Sequence, residues 1–278
     1  MKSTYVVAVS GGVDSVVLLD MLVKKRDGNI IVAHFDHGIR NDSAHDALFV
    51  SELANTYDLP FESIREELGA KASEETARDR RYAFLRSVAK RHGATIITAH
   101  HGDDVVETVA INLTRGTGWR GLAVLDSDIH RPLVGYEKSE LISYAKVNGL
   151  LWREDSTNES DAYLRNRLRR KTTGLQQDTK REVLALRAQQ IETKKHIDEA
   201  VRTLVGRGPN YSRYFFTHIP SKVAIECLRY VTHSRLTRPQ LERVLMAVKT
   251  AKSQSSFVAG SGVTIDFTTR NFSLSLLK

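Results

Sequence analysis

The stretch Ser10-Gly11-Gly12-Val13-Asp14-Ser15 lies between two apolar segments of different character. Residues 5–9 are short and β-branched, which is typical of a buried strand, and residues 16–22 are typical of a buried helix. The six residues are therefore predicted to form a strand-to-helix turn. Such a turn brings glycine backbone, hydroxyls and the first N–H groups of a helix to one point, and that point suits a phosphate.

The commoner nucleotide loop, Gly-x-x-x-x-Gly-Lys-Ser/Thr, is absent, and no lysine follows the two glycines. Phosphate binding is therefore expected to depend on backbone, hydroxyls and a metal. An ordinary glycine-rich turn is the alternative, but the flanking strand and helix make the pattern more specific. The stretch resembles the pyrophosphate loop of the N-type ATP pyrophosphatases, which split ATP into AMP and pyrophosphate. The resemblance implies that residues Ser10, Gly11, Gly12, Val13, Asp14 and Ser15 bind ATP and that Asp14 supports Mg²⁺.

The composition is that of a soluble globular chain. With 278 residues, 41% of them hydrophobic and 27% charged, it is long enough for one large domain and a smaller one. No apolar stretch approaches the length of a membrane span, and the first strand leaves no room for a signal-peptide core. The one cysteine, Cys227, forms no internal disulfide and supplies no pair for a redox relay or zinc ribbon. We expect a cytoplasmic protein without a membrane partner.

Charge is distributed unevenly along the chain. Residues 1–161 carry 19 Lys and Arg against 25 Asp and Glu, whereas residues 162–278 carry 22 against 8. An acidic first part with a basic second part predicts a polyanion-binding surface, with nucleic acid favoured over membrane. A merely solvated basic face is the alternative.

Strand and helix patterns alternate through the first part of the chain. Strands are predicted at 30–35, 61–66 and 94–99, and helices at 43–57 and from Ser73 to Gly93. This βαβα order predicts a doubly wound, mostly parallel sheet with ligands at the carboxyl ends of the strands. Asp36 and His37 follow the second strand and are placed at that edge. A zinc site on the two nearby histidines is not favoured, because no cysteine or third ligand completes it.

An acidic cluster opens the helix that follows the 94–99 strand. Asp103 and Asp104 lie four and three residues before Glu107, so the three carboxylates share one face of the first turns. Acids that merely suit the helix dipole are the alternative, and they explain Asp103 best. In the preceding helix, Arg78 and Arg81 lie beside the apolar stripe and need anionic partners, either a structural carboxylate or a phosphate.

The second part of the chain is predicted to be mainly helical. A basic helix at 163–171 places Arg165 and Arg169 on one edge, and a long helix is predicted at 180–205. Two shorter helices at 222–233 and 238–250 precede a terminal β-hairpin formed by residues 262–268 and 272–277.

Several motifs follow one another between residue 5 and about residue 170. They are Ser10–Ser15, His34-Phe35-Asp36-His37-Gly38-Ile39-Arg40, Ala77-Arg78 with Arg81-Tyr82 and Phe84-Leu85, Thr98-Ala99-His100-His101 with Asp103-Asp104 and Glu107-Thr108, Arg131-Pro132-Leu133, and Asp155 and Asn158 with Arg165-Asn166 and Arg169. Together they resemble the tRNA(Ile)-lysidine synthase family, within the adenine nucleotide alpha hydrolase-like proteins, and the tail resembles the family only loosely. The resemblance divides the chain into a catalytic domain at 1–170, a helical linker at 171–210 and a small tRNA-binding domain at 211–278.

The resemblance implies that ATP and L-lysine modify the wobble cytidine of a tRNA(Ile) with a CAU anticodon, through an adenylated base. It implies that ATP and Mg²⁺ bind at the glycine loop. The sequence does not decide the oligomeric state, and a homodimer is the state to be tested. The implied catalytic residues around the base and lysine are Asp36, Arg81, Asp104, Glu107 and Arg115, and the implied tRNA contacts are Arg165, Arg167, Arg169 and Arg170. A tRNA thiolase of the same superfamily and a non-catalytic ATP- and RNA-binding module are the alternatives.

Overall fold

The computed structural model describes residues 3–26, 28–38, 43–69, 73–153, 168, 172, 174–206 and 208–277. Two compact units divide the chain, residues 1–190 and residues 191–278. The predicted basic helix at 163–171, apart from Leu168, and the motif residues Asp155 and Asn158 lie outside the described residues. Within the described ranges, every helix lacks an apolar stretch of the length that a bilayer requires.

A four-stranded parallel sheet forms the centre of the first unit. Its strands are β1 (Ser3–Ala8), β2 (Gly28–Asp36), β3 (Phe61–Arg65) and β4 (Thr95–Ile97), in the order β3-β2-β1-β4. The helices of this unit are α1 (Val13–Lys25), α2 (Ser43–Thr56), α3 (Glu74–His92), α4 (Gly102–Thr114) and α5 (Lys138–Val147), with two short 3₁₀ helices at Trp119–Leu122 and Pro132–Gly135.

Helices cover both faces of this sheet. Alternate residues of β1 point to opposite sides, so Val7 packs in one core cluster with residues of α1, α2 and α5, while Val6 packs in another with residues of α3. Both valines are completely buried. The near-continuous apolar sequence of β1 and β2 follows from burial on both faces. The predicted doubly wound parallel sheet is confirmed.

The strand order places a topological switch point between β1 and β4. The chain moves from β1 outward to β2 and β3, and then returns to the other side of β1 to form β4. In open α/β sheets, ligands bind at the carboxyl ends of the two strands on either side of such a point. The loop after β1 is the Ser10–Ser15 stretch, and the loop after β4 leads into the acidic start of α4.

The ends of α3 lie where the sequence signals predict them. Ser73 caps the helix by accepting a hydrogen bond from the backbone N–H of Thr76, and Gly93 ends it in the left-handed conformation.

The second unit packs helices against an antiparallel sheet. The long helix α6 (Gln177–Val205) extends into this unit, followed by β5 (Asn210–Ser212), α7 (Arg213–His218), α8 (Ser221–Val231), α9 (Arg238–Thr250), β6 (Ser255–Gly260), β7 (Val263–Phe267) and β8 (Asn271–Leu276). The sheet order is β5-β8-β7-β6. The terminal hairpin β7–β8 confirms the prediction, while β5 and β6 were not predicted. The core of the second unit includes the buried side chains of Phe216, Leu228, Leu241 and Phe272.

Candidate active site

The Ser10–Ser15 loop is a turn at the carboxyl end of β1 that is stabilised by hydrogen bonds within the loop. Gly11 has a φ of +92°, a conformation that a side chain rarely adopts, and a Cβ there would lie 3.4 Å from the Phe49 ring. The Ser15 hydroxyl donates to the Gly12 carbonyl oxygen at 2.9 Å and accepts from the Ser10 N–H at 3.2 Å. The Arg153 N–H donates to the Gly11 carbonyl oxygen at 3.0 Å. These hydrogen bonds fix the conformation of the loop at the start of α1.

Asp14, in the first turn of α1, is bound by a lysine from a distant part of the chain. The Lys138 ammonium donates to both carboxylate oxygens of Asp14, at 2.6 and 2.7 Å. Lys138 is the first residue of α5 and lies 124 positions after Asp14. Sequence reasoning missed this partner, because no local signal connects the two positions.

His101 is buried at the start of α4 and lies among three carboxylates. Its Nε2 is 3.7 Å from Asp14 Oδ2 and 3.6 Å from Asp104 Oδ2, and its Nδ1 is 3.6 Å from Asp103 Oδ2. Burial opposes protonation, but the negative charges of these carboxylates raise the pKa of His101 above its usual range. The ring therefore links the loop after β1 to the loop after β4.

Asp103 is held by two donors besides His101. Its Oδ2 accepts from the backbone N–H of Lys138 at 2.8 Å, and its Oδ1 accepts from the Lys180 ammonium at 2.5 Å. The His101 ring, followed by these donors, holds the pKa of Asp103 well below its usual range against the effect of burial. Lys180 was also not predicted as part of the site.

Asp104 and Glu107 have different surroundings on α4. The Asp104 Oδ2 accepts from the His101 N–H at 2.9 Å and completes a capping box, so this acid stabilises the start of the helix. Glu107 is only 2% exposed, although it is an acid. A buried carboxylate is costly unless it is partnered, so a favourable interaction with the helix dipole does not by itself explain Glu107.

Gly102 allows α4 to begin close to the segment before α5. Its N–H donates to the Tyr136 carbonyl oxygen at 2.8 Å, and a Cβ at Gly102 would lie 2.9 Å from that same oxygen. Any side chain would force these two segments apart. The glycine therefore positions the acids of α4 against the start of α5, where Lys138 lies.

The end of β2 supplies a second buried group. Asp36 is 5% exposed, accepts from the Gly38 N–H at 2.8 Å and lies 3.6 Å from the Arg65 guanidinium. The buried His34 lies two residues earlier, with Nδ1 2.8 Å from the Val9 carbonyl oxygen. Nδ1 must donate to that oxygen, so Nε2 of a neutral ring is an acceptor. Within the described part of the chain, Nε2 has no hydrogen-bond partner.

Positive charge lies near the ends of β2 and β4. Burial and the charge of Arg81 lower the pKa of His37, and burial, followed by the charges of Arg131, Arg81 and Arg78, lowers the pKa of His100 to about 4. The guanidinium groups of Arg78 and Arg81 each lie 5.4 Å from the centre of the Tyr82 ring. Arg81 is thus close to the Asp36 side of the crevice.

The predicted site residues fall into four groups. Asp14 of the glycine loop and Asp104 of α4 both lie close to His101, and Glu107 is buried further along α4. Arg81 adjoins the end of β2 that carries Asp36. Arg115 is exposed at the far end of α4, one residue after its last turn. The predicted tRNA contacts Arg165, Arg167, Arg169 and Arg170 lie outside the described residues.

The side chains at the glycine loop suit Mg²⁺ only if substrate phosphates complete its coordination. No three His, Cys, Asp or Glu side chains of the described ranges form a metal cage. Mg²⁺, however, is commonly held by one or two carboxylates together with substrate phosphates and water. Asp14, an oxygen donor at a phosphate-binding turn, fits that arrangement.

A parallel sheet with a glycine loop and a helix start at its switch point defines an α/β nucleotide-binding domain. The PP-loop domain family matches residues 1–175, more than half of the sequence. The chain therefore belongs to the PP-loop family, and membership implies use of ATP.

Curated relatives give a more particular similarity. The chain is 43% identical over 176 residues to a tRNA(Ile)-lysidine synthase of Thermus thermophilus, which covers 60% of this chain and 34% of the relative. It is 40% identical over 179 residues to the enzyme of that name from Geobacter sulfurreducens, covering 59% and 38%. The chain thus spans between a third and two fifths of the length of these relatives.

A solved structure shows a similar fold at low sequence identity. It is described as the U34-tRNA thiolase NcsA from Methanococcus maripaludis with its [4Fe-4S] cluster. The TM-score is 0.58 and the identity 18%, and the match covers 70% of this chain and 73% of the other. This likeness supports the fold.

Proposed function

We propose that this chain ligates L-lysine to C2 of the wobble cytidine of a tRNA(Ile) with a CAU anticodon, using ATP and releasing AMP and pyrophosphate. The observation that carries the proposal is the direct link between two loops. Asp14 of the phosphate turn and Asp104 of α4 lie 3.7 and 3.6 Å from the same nitrogen of His101. A phosphate site and an acidic site for an ammonium group would then share one crevice.

The first step of the proposed reaction activates the base. The glycine loop holds the phosphates of ATP, and cytidine O2 attacks the α-phosphorus while the bond to the β-phosphate oxygen breaks. Asp14 would hold Mg²⁺, and the metal would neutralise the negative charge that develops on the phosphates. Asp36 and Arg81 are proposed to lie around the base, and Arg115 is proposed to close over it.

The second step needs a neutral amine. Free lysine has a pKa of about 10.4, so at pH 7 roughly one molecule in 2,500 is nucleophilic, at a cost of about 4.6 kcal/mol. Asp104 and Glu107 are proposed to attract the ammonium by charge, and one of them to accept its proton as the amine attacks C2 and AMP leaves.

The other parts of the chain are proposed to bind tRNA. Residues 1–170 would form the catalytic domain, 171–210 a helical linker and 211–278 a small tRNA-binding domain. The excess of basic residues after position 161 supports this division, because phosphate contacts dominate nucleic-acid affinity. A cytoplasmic location and a homodimer complete the proposal; light scattering on the purified protein tests the dimer.

The test is incorporation of labelled lysine. The purified chain is incubated with ATP, radiolabelled L-lysine and bulk bacterial tRNA, and the label is measured in acid-precipitated RNA. Label in RNA that depends on ATP supports the proposal, and its absence with an intact fold refutes it. Asp14→Ala should abolish ATP-dependent pyrophosphate release, because Mg²⁺ at the phosphates would lose its carboxylate ligand. Release at the wild-type rate by folded Asp14→Ala would contradict the assignment of Asp14.

The thiolase alternative is less well supported. An iron–sulfur cluster is usually held by several cysteine thiolates, and this chain has one cysteine. Cys227 is buried in the core of the second unit, and burial raises the pKa of its thiol to about 11. This thiol is therefore neither ionised at neutral pH nor accessible.

A further inference from the structure

The glycine loop has no lysine of its own, yet the fold brings one to it. The Lys138 ammonium lies within 2.7 Å of both carboxylate oxygens of Asp14. Asp14 follows the two glycines and Val13 of the loop. The Lys138 side chain is 42% exposed, so a ligand at the loop can reach it. The contact pairs the negative charge of Asp14 with the positive charge of Lys138.

The backbone at Lys138 is fixed against the site. Its N–H donates to Asp103 Oδ2 at 2.8 Å, and the Glu137 N–H before it donates to Glu140 in a capping box. Leu141, one turn further along α5, is fully buried in the same core cluster as residues of α1. The backbone at Lys138 is therefore held in place, so any displacement of the ammonium comes from rotation within the side chain.

We propose that Lys138 is a phosphate-binding residue of the ATP site, one that exchanges Asp14 for the pyrophosphate portion of the nucleotide. The inference rests on the proposed nucleotide-dependent reaction. Asp14 would hold Mg²⁺ in the nucleotide complex, and the Lys138 ammonium would then donate to phosphate oxygens in place of the Asp14 carboxylate. The Lys138 ammonium would then supply the positive charge at the phosphates that other phosphate loops obtain from a lysine within the loop itself.

The chemical role follows from the direction of bond breaking. As cytidine O2 forms a bond to the α-phosphorus, the bond between that phosphorus and the bridging oxygen breaks, and its electron pair leaves with pyrophosphate. The ammonium donates hydrogen bonds to the non-bridging oxygens of that leaving group and keeps its own protons. Charge-assisted hydrogen bonds to a leaving group stabilise it more as its negative charge grows.

The experiment measures binding of inorganic pyrophosphate with Mg²⁺, and separately of AMP, by isothermal titration calorimetry. Lys138→Met should weaken pyrophosphate binding at least about tenfold, the lower end expected for losing a hydrogen bond to a charged group. AMP affinity should stay within about twofold, since AMP lacks the leaving group. Lys146→Met is the matched control, because Lys146 is an exposed lysine on the same helix, and it should bind both ligands like the parent.

Several outcomes decide the inference. Unchanged pyrophosphate affinity in folded Lys138→Met, equal loss of AMP and pyrophosphate affinity, or no pyrophosphate binding by the parent would each overturn it. If Lys138→Met does not fold, Lys138→Gln, which still donates a hydrogen bond to Asp14, is compared in the same way. A selective loss of pyrophosphate affinity in a protein that transfers no lysine to tRNA would refute the proposed function and leave this inference standing.

Discussion

The ion pair between Asp103 and Lys180 joins α4 to the start of α6, and its loss should destabilise the first unit measurably. The two side chains are only 25% and 12% exposed, and the atoms in contact are 2.5 Å apart. Asp103→Asn keeps an acceptor for the Lys138 N–H and removes only the charge. The Lys180 ammonium would then remain largely buried without a carboxylate at that position.

The expected magnitude lies between two limits. An exposed pair contributes about 0–1 kcal/mol, and removing one partner of a fully buried pair costs about 3–5 kcal/mol. With this intermediate burial we expect Asp103→Asn to cost about 2.5 kcal/mol. Lys180→Met should cost only about 1 kcal/mol, because Asp103 keeps the Lys138 N–H and His101. The double variant should cost about 1.5 kcal/mol, which gives a coupling of about 2 kcal/mol.

Urea unfolding followed by tryptophan fluorescence is a suitable assay, because Trp119 and Trp152 both lie in the first unit. The lowered pKa of Asp103 means that its stabilisation is fully present above pH 4 and is lost as the pH falls toward the folded-state value. The difference between parent and Asp103→Asn should therefore shrink below pH 4. A cost below 1 kcal/mol at pH 7, or additive single variants, would refute the reasoning.

Three further expectations concern lysine transfer, tRNA affinity and pH. Asp104→Asn and Glu107→Gln should retain pyrophosphate release but need far more lysine to label tRNA; two variants that label tRNA like the parent at low lysine would show that the lysine site is elsewhere. Arg165→Ala combined with Arg169→Ala should flatten the dependence of log affinity for tRNA on log salt, and an unchanged slope measured by filter binding would assign these arginines to a solvated face. Since the pKa of His101 is raised in the folded protein, the protonated ring stabilises the fold fully below pH 6.5, and this stabilisation is lost at higher pH. The urea midpoint of the parent should therefore fall above pH 6.5, and that of His101→Gln should fall less. Midpoints of parent and variant that fall in parallel would contradict this.

The local elements of the first unit could be predicted because their signals lie close together in the chain. The turn after β1 needs Gly11 for its positive φ, and Ser73 and Gly93 mark the two ends of α3 within a few residues of each end. Alternation of strand and helix patterns was enough to predict the parallel sheet, since parallel strands require crossover connections. The strand β5 was missed because it has only three residues, and β6 was missed because it is partly exposed, with Ala259 its one buried residue.

The sequence by itself determined the phosphate turn, the acidic start of α4 and the edge of the sheet where both lie, because each depends on residues within a few positions or on the rules of strand order. Only the tertiary structure decided which charges meet there. Lys138 reaches Asp14 across 124 residues, and Lys180 reaches Asp103 across 77. Neither contact leaves a pattern in the chain, because an ion pair needs only two charged atoms close in space, and the packing of whole helices sets that distance.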